Sequence, residues 1–304
     1  MTRDPRITEH RNPRTAGIDL SSPEEIVDLL NAEDRTVADA VASQKDPIAR
    51  AMSAVEATFR AGGRLFYVGA GTSGRLGVLD ASEIPPTFGA QPELVQGIIA
   101  GGHAALTRSQ EGAEDRADGA RTDLDAAGVR ATDFVIGIAA SGTTPYVRAA
   151  LEHAKKLGAR TAIIACSPPS ADTLALADIA IVPVTGPEAV TGSTRLKAGT
   201  ATKLVLNTIT TGAMIRLGKT WGNLMVDLQA TSEKLRDRAE RIVCEVCGVS
   251  RDEARALLKD AGGSAKLAIV MHKLRLSNAE ARKALDAAGG VIRRIVRDPP
   301  PPVK

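Results

Sequence analysis

Five short apolar runs, separated by helical stretches, constrain the fold of this chain most strongly. They are RLFYVGA (64–70), LVQGIIAGG (94–102), DFVIGIAASG (133–142), RTAIIACS (160–167) and IAIVPVTG (179–186). The runs are apolar at successive positions, so strands made from them need cover on both faces. Parallel strands with helices on each side have this property. The pattern therefore predicts an α/β fold with a doubly wound parallel sheet.

The segments around these runs carry helix signals. SSPEEIVDLL combines a serine cap, a first-turn proline and acidic residues, which predicts a helix start, and a second helix is expected at about 47–61. A long apolar helix should begin near Leu196, and beyond about Leu235 the chain becomes charged, alanine-rich and amphipathic. We predict an N-terminal arm and helix (1–46), a sheet domain (47–235) and a small C-terminal helical bundle (236–304) whose DPPPPVK tail is disordered.

Composition argues against several classes of partner. Lys and Arg total 39 against 36 Asp and Glu without charged runs, and aromatic residues are 2% of the chain, so no nucleic-acid surface is expected. The sequence has no apolar run of membrane-spanning length, and its three cysteines form an odd set that suits a reducing compartment. The pair in C-E-V-C, Cys244 and Cys247, has no partner pair for zinc and is interpreted as ordinary helix residues. We expect a cytoplasmic protein that binds no metal, membrane or nucleic acid.

The turn after the first run, in FYVGAGTSGR, matches G-x-G-x-x-G through Gly69, Gly71 and Gly74. Such a turn can hold a dinucleotide or a lone phosphate, because glycines let backbone N–H groups approach an anion at a helix start. A dinucleotide site needs an acidic residue at the end of the second strand, and here that strand ends in IIAGG. The hydroxyl groups of Thr72 and Ser73 favour a compact phosphate monoester.

Two further loops carry hydroxyl groups at predicted strand ends. In ASGTTPYV, the anion-binding candidates are Ser141, Gly142, Thr143 and Thr144, directly before Pro145. In GPEAVTGSTRLKAGTATK, the turn before the long helix brings together Ser193, Thr194 and Lys197. Serine and threonine also cap helices, so the structural and the binding interpretation both stand for these loops.

Carboxylates near the strand ends are candidate acids and bases. Glu83 stands in LDASEIPPTFG and Glu114 in QEGAEDRADG. From the residues alone, the alternatives Glu111, Asp115 and Asp80 are equally available, and a solvent-facing role is the commonest for any glutamate. His103 and His153 belong to no cluster and are interpreted as surface or helix residues.

The strings GAGTSGRLGVLDASE, IIAGG, EGAED, ASGTTPYV and GPEAVTGSTRLKAGTATKLVLN together resemble the N-acetylmuramic acid 6-phosphate etherase family. The similarity extends from TEHRNPRT and IDLSSPEEIVDLLNAED through WGNLMVDLQATSEKL into the helical tail. It implies the sugar isomerase (SIS) fold with a small C-terminal helical domain, kinship with the glucokinase regulatory protein, and a homodimer.

The resemblance also implies a reaction. Members of the family cleave the D-lactyl ether at C3 of N-acetylmuramic acid 6-phosphate, which gives N-acetylglucosamine 6-phosphate and D-lactate. In the open-chain sugar the C1 aldehyde acidifies the C2 proton, so lactate leaves by β-elimination and water adds afterwards, without cofactor, metal or nucleophilic cysteine. When the family's assignment is carried over to the matching positions, the resemblance implies that Glu83 is the general acid and Glu114 the base. The remaining predicted contacts to phosphate and sugar are Gly71, Thr72, Ser73, Gly74, Ser141, Gly142, Thr143, Thr144, Ser193, Thr194 and Lys197.

Three other functions remain as alternatives. An aldose–ketose isomerase also abstracts a C2 proton from an open-chain phosphosugar, and only lactate release separates the two enzymes. A sensor would bind sugar phosphates through the same loops without catalysis, and we would expect it to lack the base. An NAD-dependent oxidoreductase is disfavoured by the absent ribose-binding acid.

Overall fold

The computed structural model describes residues 4–229, 232–297 and 299, and the chain forms two compact units. One unit extends up to Ser82 and from Glu93 to Thr210, and the other comprises Glu83–Pro92 and the chain from Thr211 onward. The three-part division at residues 46 and 235 stays a prediction. The predicted tail disorder concerns residues 298–304, of which all but Pro299 lie outside the described residues.

The sheet lies in the first unit. Within the part of the chain that the structure describes, five parallel strands pair in the order β2-β1-β3-β4-β5. They are β1 (Leu65–Gly69), β2 (Val95–Ile99), β3 (Phe134–Ile138), β4 (Arg160–Ile164) and β5 (Ile179–Ile181). Each strand lies inside its predicted run, so the predicted parallel sheet is confirmed. The last residues of all five strands are in register, which places the loops that follow them along one edge.

The helices of the first unit alternate with the strands. They are α1 (Pro23–Ala42), α2 (Lys45–Arg60), α3 (Gly71–Phe88), α4 (Ala117–Ala126), α5 (Pro145–Lys156), α6 (Ala171–Leu174) and α7 (Lys197–Arg216), of which α3 and α7 continue into the second unit. The helix start predicted in SSPEEIVDLL is confirmed, because Ser22 and Glu25 form a reciprocal capping box at the N-terminus of α1. The second predicted helix corresponds to α2, and the long apolar helix to α7.

Helices cover both faces of the sheet, as the apolar runs require. Phe66 and Val68 of β1 are fully buried in an apolar cluster with residues of α4 and α5. Tyr67, between them, faces the other side, where its hydroxyl donates to Asp80 of α3 at 3.0 Å. Alternate residues of one strand therefore contact different helix layers, which makes the sheet doubly wound.

The second unit has its own core. Its helices are α8 (Glu233–Cys247), α9 (Arg251–Asp260), α10 (Ala265–Leu274) and α11 (Asn278–Ala287). They bury one apolar cluster, which includes Val243, Ile269 and Trp221. Cys244 and Cys247 lie in α8 and pack against this cluster, so their interpretation as helix residues is confirmed, and burial raises the pKa of Cys247 to about 11. Among the described residues, no helix combines the length and apolarity needed to cross a membrane.

Candidate active site

A polar cavity of about 360 Å³ lies at the carboxyl-end edge of the sheet. From β1 the chain continues to β2 on one side, and from β2 it crosses back to β3 on the other side of β1. The gap between the ends of β1 and β3 is therefore the topological switch point. Ligands of doubly wound proteins bind in this crevice. The loops after both strands, which the sequence analysis predicts as anion-binding loops, contribute residues to the lining of the cavity.

The glycines of the turn after β1 have different tasks. A Cβ on Gly74 would lie 2.7 Å from the carbonyl oxygen of Gly69 and 2.6 Å from Cγ1 of Ile99, so Gly74 serves close packing of helix against strand. Gly71 has φ +52° and open space around its missing Cβ. Gly71, Thr72 and Ser73 line the cavity, whereas Gly74 is not among the lining residues.

The loop after β3 presents hydroxyl groups at the start of α5. Ser141 Oγ accepts from the backbone N–H of Thr143 at 3.3 Å and lies 3.0 Å from Thr143 Oγ1. Thr144 is the N-cap residue but makes no side-chain capping hydrogen bond, so the structural interpretation of this threonine does not hold. All three side chains line the cavity. Gly142 has φ +76° and shapes the turn without lining it.

Carboxylates enter the cavity from the segment after β2. Glu114 and Asp115 lie in a 3-10 turn, Ala113–Asp115, which follows the left-handed Gly112 at φ +71°. Both side chains are exposed and line the cavity. Glu111, on the same segment, is exposed but does not line it.

Glu83 lies in α3, ten residues after Ser73. Its side chain is exposed and is not among those that line the cavity. Asp80 of the same helix is a structural residue instead, because it is 5% exposed and accepts hydrogen bonds from Tyr67, Asn207 and Thr210.

The third predicted loop divides between lining and supporting residues. Thr194 lines the cavity, and Ser193 and Lys197 do not. Lys197 is 1% exposed, and its Nζ lies 2.6 Å from Oε2 of the buried Glu33 in α1. The backbone N–H groups of Lys197 and Ala198 each donate at 2.9 Å to the carboxylate of Glu188, which therefore caps α7.

This buried ion pair shifts the titration of its carboxylate. Burial of Glu33 raises its pKa, but hydrogen bonds from Arg14 and Lys197 together lower it by more, so that its pKa is about 2. Burial also raises the pKa of Glu188, against the hydrogen bonds at the start of α7. The ion pair between the ammonium group of Lys197 and the carboxylate of Glu33 thus links the start of α7 to α1.

Two charged lining residues were not predicted. Arg6 and Glu9 reach the cavity from the N-terminal arm, in which the sequence analysis named no site residue. The motif TEHRNPRT contains Glu9, but no local pattern shows that this segment returns to the sheet.

The geometry defines a class: an α/β protein with a doubly wound parallel sheet that gathers hydroxyl, backbone and carboxylate groups in a polar cavity at its switch point. Comparison with known proteins narrows this class. The chain is 52% identical over 292 residues, 96% of this chain and 95% of the relative, to N-acetylmuramic acid 6-phosphate etherase 2 of Vibrio cholerae. It is 56% identical over 264 residues, 87% of each chain, to N-acetylmuramic acid 6-phosphate etherase of Symbiobacterium thermophilum. The chain belongs to the N-acetylmuramic acid 6-phosphate etherase family.

Two other comparisons concern the fold. The model of the glucokinase regulatory protein N-terminal SIS domain matches residues 47–155, which include β1, β2 and β3. A phosphoheptose isomerase from Francisella tularensis is 15% identical, with a TM-score of 0.48 over 64% of this chain and 99% of that chain. The match to the SIS domain model confirms the predicted SIS fold, and the identities to the two etherases confirm the family resemblance.

Proposed function

We propose that this protein cleaves the D-lactyl ether of N-acetylmuramic acid 6-phosphate and releases N-acetylglucosamine 6-phosphate and D-lactate, in the catabolism or recycling of cell-wall amino sugars. The observation that carries the proposal is the hydroxyl-lined cavity with Glu114 at its edge, in a chain that shares half its residues with etherases over nearly its whole length.

The 6-phosphate binds between two helix starts. Gly71, Thr72 and Ser73 begin α3, and Ser141, Thr143 and Thr144 precede α5, so neutral donors and the positive ends of two helix dipoles face the same space. Thr194 adds a hydroxyl group from the loop before α7. Gly74, Gly142, Ser193 and Lys197 hold these loops in place. Binding the remote phosphate positions C2 and C3 of the open chain for reaction.

The chemistry then requires one base and one acid. Glu114 removes the C2 proton, and the carbon–oxygen bond at C3 breaks as a general acid protonates the lactyl oxygen. The product of this step is an α,β-unsaturated aldehyde. Water adds to C3 while the proton transfers run in reverse, so no net proton, electron or cofactor is consumed. We assign the acid to Glu83 by correspondence with the family.

The first test is product formation. Purified protein should release one D-lactate per N-acetylglucosamine 6-phosphate formed, and in ¹⁸O-water the label should appear at C3. An isomerase would exchange the C2 hydrogen without lactate release, and a sensor would bind the phosphosugar without either reaction. A well-folded sample that releases no D-lactate would overturn the etherase proposal.

The second test separates the two carboxylates. Glu114→Gln should lose both C2 hydrogen exchange in deuterated water and lactate release, by about 10²-fold or more. Glu83→Gln should lose lactate release and keep exchange, because deprotonation precedes leaving-group protonation. Glu111→Gln, on the same segment as Glu114 and outside the cavity lining, serves as control. Full exchange by Glu114→Gln, or normal turnover by Glu83→Gln, would remove the assigned role.

We further infer a cytoplasmic homodimer. Cys166, Cys244 and Cys247 are all unpaired, which suits a reducing compartment. Leu20, in the turn just before α1, and Val27, in the first half of α1, are 88% and 56% exposed in the single chain. A second copy of the chain that covers this apolar surface would account for both exposures.

A further inference from the structure

The N-terminal arm, defined here as residues 4–15, is fixed to the loops around the cavity. The backbone N–H of Thr8 donates to Ser167 Oγ at 3.2 Å, and its carbonyl accepts from Gly192 at 3.2 Å. Farther along, Thr15 Oγ1 donates to the carbonyl of Ala189 at 2.8 Å. Thr8 and Thr15 are buried, so the arm is part of the cavity wall.

The arm supplies a cationic side chain to the cavity lining. Of the described residues that line the cavity, Arg6 alone has a cationic side chain. Asp4 orients it, with Oδ1 3.0 Å from Nε and Oδ2 2.7 Å from Nη2. These contacts use two of the five guanidinium N–H groups, and three remain for a ligand. The Arg6 side chain is 43% exposed, so a ligand in the cavity can reach it.

The same cavity is rich in carboxylates. Glu9, Glu114 and Asp115 all line it. The proposed substrate brings two further anions, the phosphate at C6 and the carboxylate of the lactyl group at C3. The lactyl group is attached next to C2, so its carboxylate must lie near the base that deprotonates C2. A carboxylate placed there is repelled by its neighbours unless a cation offsets them.

We propose that Arg6 binds the lactyl carboxylate of the substrate and thereby sets specificity for an ether that carries an acid. This inference rests on the proposed function. The hydroxyl groups and helix starts of α3 and α5 supply neutral donors for the phosphate, and the planar guanidinium supplies the paired donors that suit a carboxylate. The product N-acetylglucosamine 6-phosphate lacks the carboxylate, so Arg6 also favours release of product over substrate.

The test compares the natural substrate with its lactyl carboxamide in wild-type protein, Arg6→Gln and Arg6→Lys. Arg6→Gln should lower kcat/KM for the acid at least tenfold and change that for the carboxamide less than twofold. Arg6→Lys should keep part of the preference for the acid. The inhibition constant of N-acetylglucosamine 6-phosphate should stay the same in all three proteins.

Arg11→Gln is the matched control, since it removes an exposed arginine of the same arm that does not line the cavity. It should leave both substrates unaffected. An equal loss for acid and carboxamide in Arg6→Gln would overturn the inference in favour of a structural role. Weaker inhibition by N-acetylglucosamine 6-phosphate would assign Arg6 to the phosphate instead. Failure of wild-type protein to release D-lactate would overturn the proposed function, and the inference with it.

Discussion

The three glycines of the turn after β1 have different roles, and they do not by themselves specify the ligand. The G-x-G-x-x-G string alone fits a dinucleotide, but in this structure Gly69 and Gly74 serve the packing of α3 against the strand ends, and Gly71 faces the cavity. β2 is followed by Ala100, Gly101 and Gly102, without the carboxylate that a ribose needs. The motif therefore describes a backbone geometry, and the residues around it determine the ligand.

An alanine substitution should affect mainly stability at Gly74 and mainly substrate binding at Gly71. Gly74→Ala places a methyl group against backbone and Ile99, which should cost about 1–3 kcal/mol of folding free energy. Gly71→Ala meets open space and costs about 1 kcal/mol for its positive φ, but it narrows the cavity. Thermal melting should show the lower Tm for Gly74→Ala, and kinetics the larger rise in KM for Gly71→Ala. Equal melting temperatures would contradict this assignment.

Residue types could be predicted from the sequence more readily than side-chain directions. The sequence could indicate that Thr72, Ser73 and Thr144 lie at this edge of the sheet, because strand ends and helix starts are local patterns. Lys197 has a side chain of a type that often binds phosphate, yet this side chain is buried against Glu33, a residue 164 positions away. Long-range partners of this kind leave no local signal.

The sheet could be predicted from the sequence, and the position of the N-terminal arm could not. Each strand follows from a short run that is apolar on both faces, and the α1 start from a capping box within four residues. The arm is held by hydrogen bonds from Thr8 and Thr15 to residues 159 and 174 positions away. Its sequence is polar, so hydrophobic periodicity could not show that Arg6 and Glu9 reach the cavity.

The link between α1 and α7 should make stability depend on acid pH. Glu33 has a folded pKa of about 2 against an ordinary 4.5, so its stabilisation is complete above pH 4.5 and is lost as the pH falls toward 2. When the pH is lowered from 6 to 2, the free energy of unfolding measured in urea should fall by on the order of 3 kcal/mol more for wild-type protein than for Glu33→Gln. If the unfolding free energy changed equally with pH in the two proteins, the ion pair would contribute no pH-dependent stability.

Helix α1 and the turn before it expose apolar side chains that the single chain does not cover. Among its residues, the buried ones are Glu33 and Val37, both in its second half. Val27, in the first half of α1, is exposed, and so is Leu20, which lies just before the helix. We expect a second copy of the chain to cover this surface.

Val27→Asp should convert the homodimer to monomers. A buried, unpaired carboxylate opposes association, whereas the exposed side chain leaves the fold of the monomer intact. Light scattering during size-exclusion chromatography should give about twice 31.7 kDa for wild-type protein and 31.7 kDa for the variant. Leu174→Asp, at an exposed apolar residue in α6, is the control and should remain dimeric. A monomeric wild-type protein would contradict the homodimer, and a dimeric Val27→Asp would move the interface away from the start of α1.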